Sequence, residues 1–444
     1  MTSQQPLFDR AGFVSSEALA EAEAAPAGQP RLRCAVRDQV IMYYEALDAL
    51  IPPEHAARSI WAYVSQLDLS PLLAQIKAVE GHEGRPPADP RILLTLWLYA
   101  TVEGIGSARE LARLCETDAA YQWIAGGVPL NHHTLSDFRA DQGPLLDRLL
   151  TQSVASLMAA GVVDLNRVAQ DGMRVRASAG GKTFRRRAKL EEYLAAAREQ
   201  VERLKAEGND DPAAGQRRIQ AARRRAAQER EARVAEALQQ LEKIEAQKPA
   251  SKRESARAST TDSEARFMKM ADGGFRPAFN VQYATDTKTQ VIVGVDATNV
   301  GSDKGEMGRM HQQIQQRYGR VPDEYLADGD FATKSDVETL AAAGTTAYTP
   351  PRQSKNQKQP PEAPRPDESE VLNAWRARMA TPEGQAIYRE RAATAECVNA
   401  QARNRGLRQI PLRGLIKART VALWYALAHN LMRTFRLCPQ LVTS

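Results

Sequence analysis

Apolar residues recur at the three- and four-residue spacing of amphipathic helices through most of the first 160 positions. Ser107 with Glu110 three residues later, and the pair Asp89-Pro90, are both sequence signals for a helix start. These patterns predict short helices at 36–50, 54–66, 70–80, 90–104, 107–115, 118–125, 132–140 and 143–160. We therefore expect a helical N-terminal domain over 36–160, after a disordered tail at 1–35 that is rich in Ala, Glu and Pro.

Residues 163–177 change to the two-residue alternation of a β-strand. One face of this strand would carry Ala169, Asp171, Met173 and Val175, and the other Gln170, Arg174 and Arg176. Later apolar runs predict further strands and helices. The strands are expected at 275–286, 289–299, 324–331 and 345–350, and the helices at 303–318 and 333–343. This order predicts a mixed α/β and α+β domain over 161–436.

A long charged insertion at 181–250 separates the first predicted strand from the rest of this domain. It has 17 basic and 12 acidic residues, and its apolar residues repeat at helical spacing on both sides of GNDDPAAG (208–215). A helical hairpin, similar to a coiled coil, is the natural interpretation. Its positive charge suits contact with phosphates, but a charged hairpin with a solvated face would look the same.

The last third of the chain begins with a polar, Pro-rich loop at 350–370 that lacks apolar periodicity. Helices are predicted after it at about 371–379, 383–404 and 413–436. The last of these is apolar, but it falls short of the roughly 20 clean apolar residues that a membrane span needs.

Composition narrows the class of protein. The 444 residues are 43% hydrophobic and 26% charged, which is typical of a folded, water-soluble chain. The excess of 60 Lys and Arg over 54 Asp and Glu favours a polyanionic partner without requiring one. The four cysteines are too scattered for a zinc or redox motif, and the polar N-terminus lacks the apolar core of a signal peptide. We expect a cytoplasmic protein with no membrane segment.

Three acidic residues are candidates for chemistry. Asp171 falls on the apolar face of its predicted strand, where a carboxylate is costly unless it is paired or binds a metal ion. Asp171-Gly172 could equally be a tight turn. Asp328 follows an apolar strand, where ligand sites of α/β sheets often lie, and Asp330 is its local rival. Glu396 lies on a predicted helix, where a surface glutamate is ordinary.

The contexts of these acids carry a family resemblance. The relevant segments are RILLTLWLYATVEGIGSARELARLCETDAAYQWIAGGVPLNHHTLSDFR (91–139), QDGMRVRASAG (170–180), TDSEARFMKMADGGFRPAFNVQYATD (261–286), VGSDKGEM (300–307), YLADGDF (325–331) and YRERAATAECVNAQARNRGL (388–407). In this order they resemble the DDE transposases of bacterial insertion sequences, in the branch with an InsH-type N-terminal domain. The resemblance covers about residues 50–436.

The resemblance implies a ribonuclease H-like catalytic domain that carries a helical insertion after its first strand. It also implies that Asp171, Asp328 and Glu396 are the catalytic triad and bind two Mg²⁺ ions, for which Mn²⁺ can substitute. Carboxylate oxygens are hard ligands of the kind that Mg²⁺ prefers. Two such ions can activate a nucleophile and stabilise the leaving oxygen in phosphodiester chemistry.

The family's third motif corresponds to Tyr388, Arg391, Glu396 and Arg403 in this chain, and these residues are expected to serve DNA binding and catalysis. On a regular helix, positions seven apart nearly eclipse. Arg389 and Arg403 would then share the face of Glu396, and Arg391 would lie round the side. Either the helix begins after Arg391, or Arg389 takes part in binding phosphate.

The implied partners are DNA element ends and target DNA, bound by a homodimer in a synaptic complex on the bacterial nucleoid. Arg139 and its short helix are candidate DNA contacts in the N-terminal domain, although a solvated helix would read alike. His132 and His133 lack a convincing set of co-ligands for a metal ion. The alternatives to a transposase are an inactive end-binding protein and a ribonuclease H-like nuclease that cuts without joining.

Overall fold

The described residues between 44 and 159 form helices and the loops that join them. The computed structural model describes residues 44–79, 83, 86–206, 214–352 and 359–439. The expected tail at 1–35, the start of the helix at 36–50, most of the break at 208–215 and part of the loop at 350–370 lie outside those residues. The first helices are α1 (Ala56–Ser65), α2 (Ser70–Leu73), α3 (Pro90–Val102), α4 (Ala108–Thr117), α5 (Ala119–Ala125), α6 (His132–Asp141) and α7 (Gly143–Ala159).

The predicted helix starts are confirmed at atomic detail. The Asp89 side chain accepts a hydrogen bond from Arg91 N, and Ser107 Oγ accepts one from Glu110 N. These bonds satisfy backbone N–H groups that the first turn of a helix leaves without a partner. The Glu110 carboxylate turns outward and pairs with Arg113 at 2.6 Å.

Within the described residues, a six-stranded mixed sheet forms the centre of the part of the chain that follows residue 160. Its strands are β1 (Arg167–Arg176), β4 (Arg266–Lys269), β5 (Phe275–Asp286), β6 (Ile292–Thr298), β7 (Glu324–Leu326) and β8 (Thr346–Tyr348), and a separate small ribbon joins β2 (Phe184–Arg185) and β3 (Ala258–Ser259). Strand β1 pairs antiparallel with β5 and parallel with β7. Strands β4 and β6 both pair antiparallel with β5, and β8 pairs parallel with β7. The sequence pattern missed β4, which is only four residues long.

Helices cover the sheet and complete the chain. They are α8 (Arg187–Ala206), α9 (Ala214–Ala246), α10 (Glu306–Tyr318), α11 (Lys334–Ala342), α12 (Glu370–Ala380), α13 (Pro382–Arg391), α14 (Cys397–Asn404) and α15 (Leu415–Leu437). A π-helical segment, Ala392–Glu396, joins α13 to α14. Both faces of β1 are covered, so Gln170 is fully buried although it lies on the strand's polar face.

The N-terminal helices and one face of the sheet share a continuous apolar core. Trp97 of α3 and Trp424 of α15 are each 1% exposed, and their ring centroids lie 6.5 Å apart. Met173 of β1 and Tyr283 of β5 belong to the same cluster, and Tyr283 Oη donates to Ala422 O at 3.0 Å. The last helix therefore fastens the N-terminal helices to the sheet.

Arg139 lies inside this core, which contradicts its expected place on a DNA-facing surface. Its side chain donates to Gly106 O, its guanidinium lies 4.3 Å from the centre of the Trp97 ring, and its backbone oxygen accepts from Trp424 Nε1. Burial lowers the pKa of the guanidinium to about 10. Periodicity could not reveal this, because Arg139 meets its aromatic neighbour only through the packing of separate helices.

Helices α8 and α9 pack side by side around Leu190, Val234 and Leu241. Ion pairs tie their surfaces together, including Arg187 with Glu245 at 2.6 Å. Part of the insertion's charge is thus used within the hairpin. No helix within the described ranges is both long and apolar enough to cross a membrane.

The end of the Pro-rich segment is held by a buried carboxylate. The Glu368 side chain is 1% exposed and pairs with Arg376 of α12 at 2.6 Å and with Lys334 of α11 at 2.9 Å. Arg376 also donates to Pro361 O. Hydrogen bonding from Arg376 is the main cause that lowers the pKa of Glu368 to about 2. The sequence predicted only a loop here, because polar composition does not reveal a buried ion pair.

This ion pair makes stability depend on pH. A depressed folded-state pKa stabilises the protein above the unfolded value and loses that contribution as pH falls through the folded value. Glu368→Gln is expected to lower the free energy of unfolding at pH 7 by about 3 kcal/mol, because it leaves Arg376 buried without its anion. The deficit should close between the unfolded value of 4.5 and about 2. Urea unfolding across that range measures it, with exposed Asp367→Asn as the control. A deficit that stays constant with pH would contradict this account.

Candidate active site

Asp171 lies inside strand β1, which removes the interpretation of Asp171-Gly172 as a turn. It pairs with Tyr283 of β5, and the ladder continues without interruption on both sides. The glycine is required by crowding rather than by a turn. A Cβ at Gly172 would lie 2.6 Å from Asp303 Oδ1 and closer still to the Gln282 side-chain amide. The dipeptide that resembles a turn signal is therefore a point of close packing within a sheet.

The Asp171 carboxylate is largely enclosed, with 22% of its side chain exposed. One oxygen accepts from Gly172 N at 2.9 Å and lies 3.7 Å from Arg391 Nη1. The other accepts from Asn399 Nδ2 at 2.9 Å. Burial raises the pKa of Asp171, while Arg391 and the hydrogen bonds from Asn399 and Gly172 oppose that shift, and Glu396 adds to it. The strand thus places an acid where a positive partner is needed.

Asp328 reaches the same edge of the sheet through backbone register. The parallel ladder between β1 and β7 ends at the pair Ala169 and Leu326. Asp171 and Asp328 each lie two residues beyond that pair, Asp171 within β1 and Asp328 just after the end of β7. Adjacent strands are about 4.8 Å apart. The Asp328 residue is exposed. Burial raises the pKa of Tyr388, and the charges of Asp328 and Glu396 add to that rise.

The rival acid is engaged elsewhere. Asp330 forms an ion pair with Arg352, and both side chains are more than half exposed. Asp328 accepts two hydrogen bonds at its backbone oxygen, from Phe331 N and Thr349 Oγ1, which hold the turn after β7. The register of β1 and β7 therefore favours Asp328 over Asp330 as the neighbour of Asp171.

Glu396 meets Arg391 because the helix around it is not a regular α-helix. In the π-helical segment each backbone bond spans one residue more than in an α-helix, and residues five apart come together. Arg391 Nη2 donates to Glu396 Oε1 at 2.6 Å. Thr394 Oγ1 donates to the backbone oxygens of Glu390 and Arg391, which supports the widened turn.

The π-helical segment decides which arginine lies beside Glu396, and it does so by a geometry that a regular helix does not have. The helix neither begins after Arg391 nor brings Arg389 to the acid. Arg389 is exposed and, within the described residues, forms no ion pair. Arg391 instead lies between Glu396 and Asp171, within ion-pair distance of both. π-helical turns of this kind are frequent at functional sites.

The other residues of the third motif occupy different surroundings. Tyr388 is half-buried, and the Arg391 guanidinium lies 5.7 Å from the centre of its ring. Burial raises the pKa of the Tyr388 hydroxyl, which keeps it neutral. Tyr388 thus packs against the arginine. Arg403 is exposed one helix later and lines a groove described below.

Asn399 is a site residue that the sequence argument did not single out. It is 1% exposed, its Nδ2 donates to Asp171, and its Oδ1 is buried without a hydrogen-bond partner among the described residues. It lies three residues after Glu396, so both side chains can face the sheet edge from one helix. That spacing was the available signal. A buried amide oxygen without a partner is costly, which marks this position as suited to a further ligand.

Asp171, Glu396 and Arg391 are thus brought together, with Asn399 behind Asp171 and Asp328 at the next strand end. Within the described part of the chain, no group of three His, Cys, Asp or Glu side chains is arranged to hold a metal ion. Arg391 occupies the space between two of the acids.

Two family models match parts of the chain. The family described as Transposase domain (DUF772) matches residues 45–141, and the family described as Transposase DDE domain matches residues 353–435. The first covers helices α1 to α6, and the second covers α12 to α15, including the segment around Glu396. Asp171 and Asp328 lie outside both matches. No curated protein and no protein of solved structure gives a significant match.

Proposed function

Because the chain belongs to the DDE transposases of insertion sequences, we propose that Asp171, Asp328 and Glu396 catalyse DNA strand cleavage at element ends and strand transfer into target DNA. The observation that carries this proposal is the arginine shared by Asp171 and Glu396. Two acids from distant parts of the chain converge on one cation at a sheet edge. We further propose the InsH-type branch, on the resemblance of residues 91–139.

The strand order supports a ribonuclease H-like catalytic domain. Across the sheet, the antiparallel strands β6, β5 and β1 are followed by the parallel strands β7 and β8. Along the chain, the helical pair α8 and α9 is inserted after β1. In such an arrangement β1 and the end of β7 lie side by side. Asp171 lies in β1, and Asp328 follows β7 in the sequence.

The residues present fit a divalent cation in their chemistry. The donors are carboxylate oxygens, which suit Mg²⁺ or Mn²⁺. Beside them lies Asn399 Oδ1, which has no hydrogen-bond partner in the described part of the chain. Burial raises the pKa of Asp171, and a nearby cation would lower that pKa again because it favours the ionised carboxylate. When bound, two such ions would activate the attacking oxygen and stabilise the leaving oxygen. Glu396 must release Arg391 to join such a site, and the freed guanidinium can then bind a phosphate oxygen.

The proposed reaction has two in-line displacements. A water oxygen attacks the phosphorus at the element end, and the bond from phosphorus to the 3′ oxygen breaks, which leaves a 3′ hydroxyl and a 5′ phosphate. That hydroxyl then attacks a target phosphodiester, and the target's own 3′ oxygen leaves. No bond forms between protein and DNA, so Tyr388 serves to hold Arg391 rather than to attack. Because two ends must be joined together, we propose a homodimer on the nucleoid.

The test is cleavage and joining of DNA that carries the sequences flanking this gene, with and without Mg²⁺. A transposase should release a 3′ hydroxyl and then form a strand-transfer product. Cleavage without joining would favour a plain nuclease. If the protein binds this DNA but neither cleaves it nor binds Mg²⁺ through its carboxylates, an inactive end-binding protein would be favoured. If Asp328→Asn and Glu396→Gln both keep full activity, the site is misassigned.

Asn399 should act as a positioning residue for Asp171. Asn399→Ala is expected to lower the cleavage rate or the affinity for Mg²⁺ roughly 10- to 100-fold, the usual effect of removing a partner behind a metal ligand. Mg²⁺ titration of the cleavage rate measures both quantities. Asn404→Ala, an exposed position on the same helix, is the matched control. An unchanged Mg²⁺ dependence and rate in Asn399→Ala would rule out this role.

A further inference from the structure

A groove with a volume of about 780 Å³ opens beside the candidate site. Six cationic side chains line it: Arg174, Arg176, Lys269, Arg276, Arg403 and Arg408. Among the described residues that line this basic groove, Asp272 is the one acid. The cations come from β1, from the β4–β5 hairpin and from the segment that ends α14. The charge is therefore assembled by the fold.

Four of the six cations have no anionic partner in the part of the chain that is described. Arg174 pairs with the buried carboxylate of Asp303 at 2.6 Å, and Arg276 pairs with Asp272 at 2.8 Å. The remaining four are exposed and form no ion pair there: Arg176, Lys269, Arg403 and Arg408. Like charges gathered around one cleft repel each other and focus a positive potential into it. Such a groove is stabilised when an anion enters.

The basic groove opens next to the candidate site along β1 and α14. Gly172, which lines it, directly follows Asp171 in β1, and Arg403 follows Glu396 on the same helical segment. From there the groove extends to the tip of the β4–β5 hairpin at Lys269 and Arg276. Asp171 lies on the face of β1 opposite Arg174 and Arg176. An extended anion bound in the groove would therefore reach the acids around the edge of β1, where its pairing with β7 ends at Ala169.

An exposed aromatic ring stands at the hairpin. Phe275 is 66% exposed and pairs across the hairpin with Lys269. A phenylalanine at this exposure is unfavourable in water, and it adds a flat apolar surface beside a row of positive charges. Cations that follow a backbone, with an aromatic ring that stacks on a base, are the combination found in proteins that bind nucleic acid strands.

We propose that the basic groove binds the phosphate backbone of the DNA strand that enters the carboxylate site, with Phe275 stacked on one of its bases. The inference rests on the proposed function in one respect, namely that the bound strand enters the carboxylate site. Binding of DNA in the groove does not itself require cleavage. The ligand chemistry is a phosphodiester backbone, which either a single-stranded element end or duplex target DNA would supply.

Salt dependence of binding tests the proposal. Fluorescence anisotropy of a labelled oligonucleotide of mixed sequence, single-stranded or as a duplex, is measured in EDTA for wild type and for Arg176→Gln/Arg408→Gln. The slope of log K against log salt is negative, and each lost phosphate contact reduces its magnitude by about 0.7 for a single strand and about 0.9 for duplex DNA. The double variant should therefore lose about 1.4 on a single strand, or about 1.8 if the groove holds a duplex.

The matched control removes the same charge elsewhere. Arg148 and Arg320 are exposed and lie outside the groove lining, so Arg148→Gln/Arg320→Gln should leave the slope unchanged. Phe275→Ala should weaken binding of the single strand about 5- to 150-fold, since stacking contributes about 1–3 kcal/mol per base. Circular dichroism and thermal melting confirm that each variant is folded.

Equal slopes in wild type and Arg176→Gln/Arg408→Gln would overturn the proposal, as would tighter binding of polyglutamate than of either DNA. These outcomes are distinct from failure of the proposed function. If wild type binds through the groove but never cleaves DNA, the transposase chemistry is wrong and the groove stands. If wild type cleaves DNA and the groove variants bind like wild type, the groove is wrong and the chemistry stands.

Discussion

Replacing Asp171 by asparagine is expected to lower the rate of DNA strand cleavage by about a thousandfold or more. A cation held by carboxylates contributes several kcal/mol to the stability of the transition state, and each 1.36 kcal/mol is a factor of ten in rate. Asparagine keeps the size of the side chain and its contact with Asn399 but removes the charge. Single-turnover cleavage of end-bearing DNA at saturating Mg²⁺ measures the loss.

The same substitution should leave the protein as stable as wild type, or more stable, at pH 7. Burial raises the pKa of Asp171, so the ionised form is held at a cost in the folded state. A raised folded-state pKa of an acid means that stability falls as pH rises from the unfolded value of 3.8 through the folded value. Asp171→Asn escapes that loss. Its melting temperature should therefore change less with pH than that of wild type.

Asp330→Asn is the control, because Asp330 is an exposed acid at the end of the neighbouring strand. It should keep cleavage within a few-fold of wild type. Full cleavage activity in Asp171→Asn would remove Asp171 from the site. Loss of both cleavage and folding would show that Asp171 serves structure, because a catalytic acid at a costly position should be dispensable for folding.

Trp424→Ala is expected to lower the free energy of unfolding by about 4 kcal/mol, within the range for truncating a buried tryptophan. The ring is 1% exposed and packs near Trp97 and Phe138, with centroids 6.5 and 6.4 Å away. Its Nε1 donates to Arg139 O at 3.1 Å, so truncation also leaves that oxygen without a partner. Equilibrium unfolding in urea measures the change.

The loss should have a particular structural consequence, because Trp424 joins α15 to helices α3 and α6. Hydrogen exchange should increase first in those N-terminal helices and less in the central sheet strands. Trp123→Ala, at a half-buried position beside Trp61, is the control and should cost clearly less. Equal destabilisation by the two substitutions would show that Trp424 is not the main contact between α15 and the N-terminal helices.

Local pattern was sufficient for much of the fold. Helices α3 and α4 begin at the residues that their capping signals indicate, because a cap involves only neighbours in sequence. The alternation around Asp171 predicted a strand and placed the acid on its apolar face, and Ala169, Met173 and Val175 are buried there. The helical N-terminal region and the mixed α/β sheet were predicted for the same reason.

Pattern failed where a contact is made by parts of the chain that are distant in sequence. Gln170 reads as a solvent-facing residue, but it is buried because a second layer covers that face of β1. Arg139 reads as a surface cation, but Trp97 lies beneath it. Alternation and periodicity tell which side chains share a face, and they do not tell what lies opposite that face.

The acid and arginine pair at the third motif is the clearest case. The sequence by itself determined that Tyr388, Arg391, Glu396 and Arg403 lie on one helical segment and that Asp171 lies on a strand. Only the tertiary structure decided that a π-helical turn brings Arg391 to Glu396 and to Asp171, and that Asn399 donates a hydrogen bond to Asp171. The physical reason is that periodicity describes a regular helix, whereas the contacts of this π-helical turn are made with a strand that is distant in sequence.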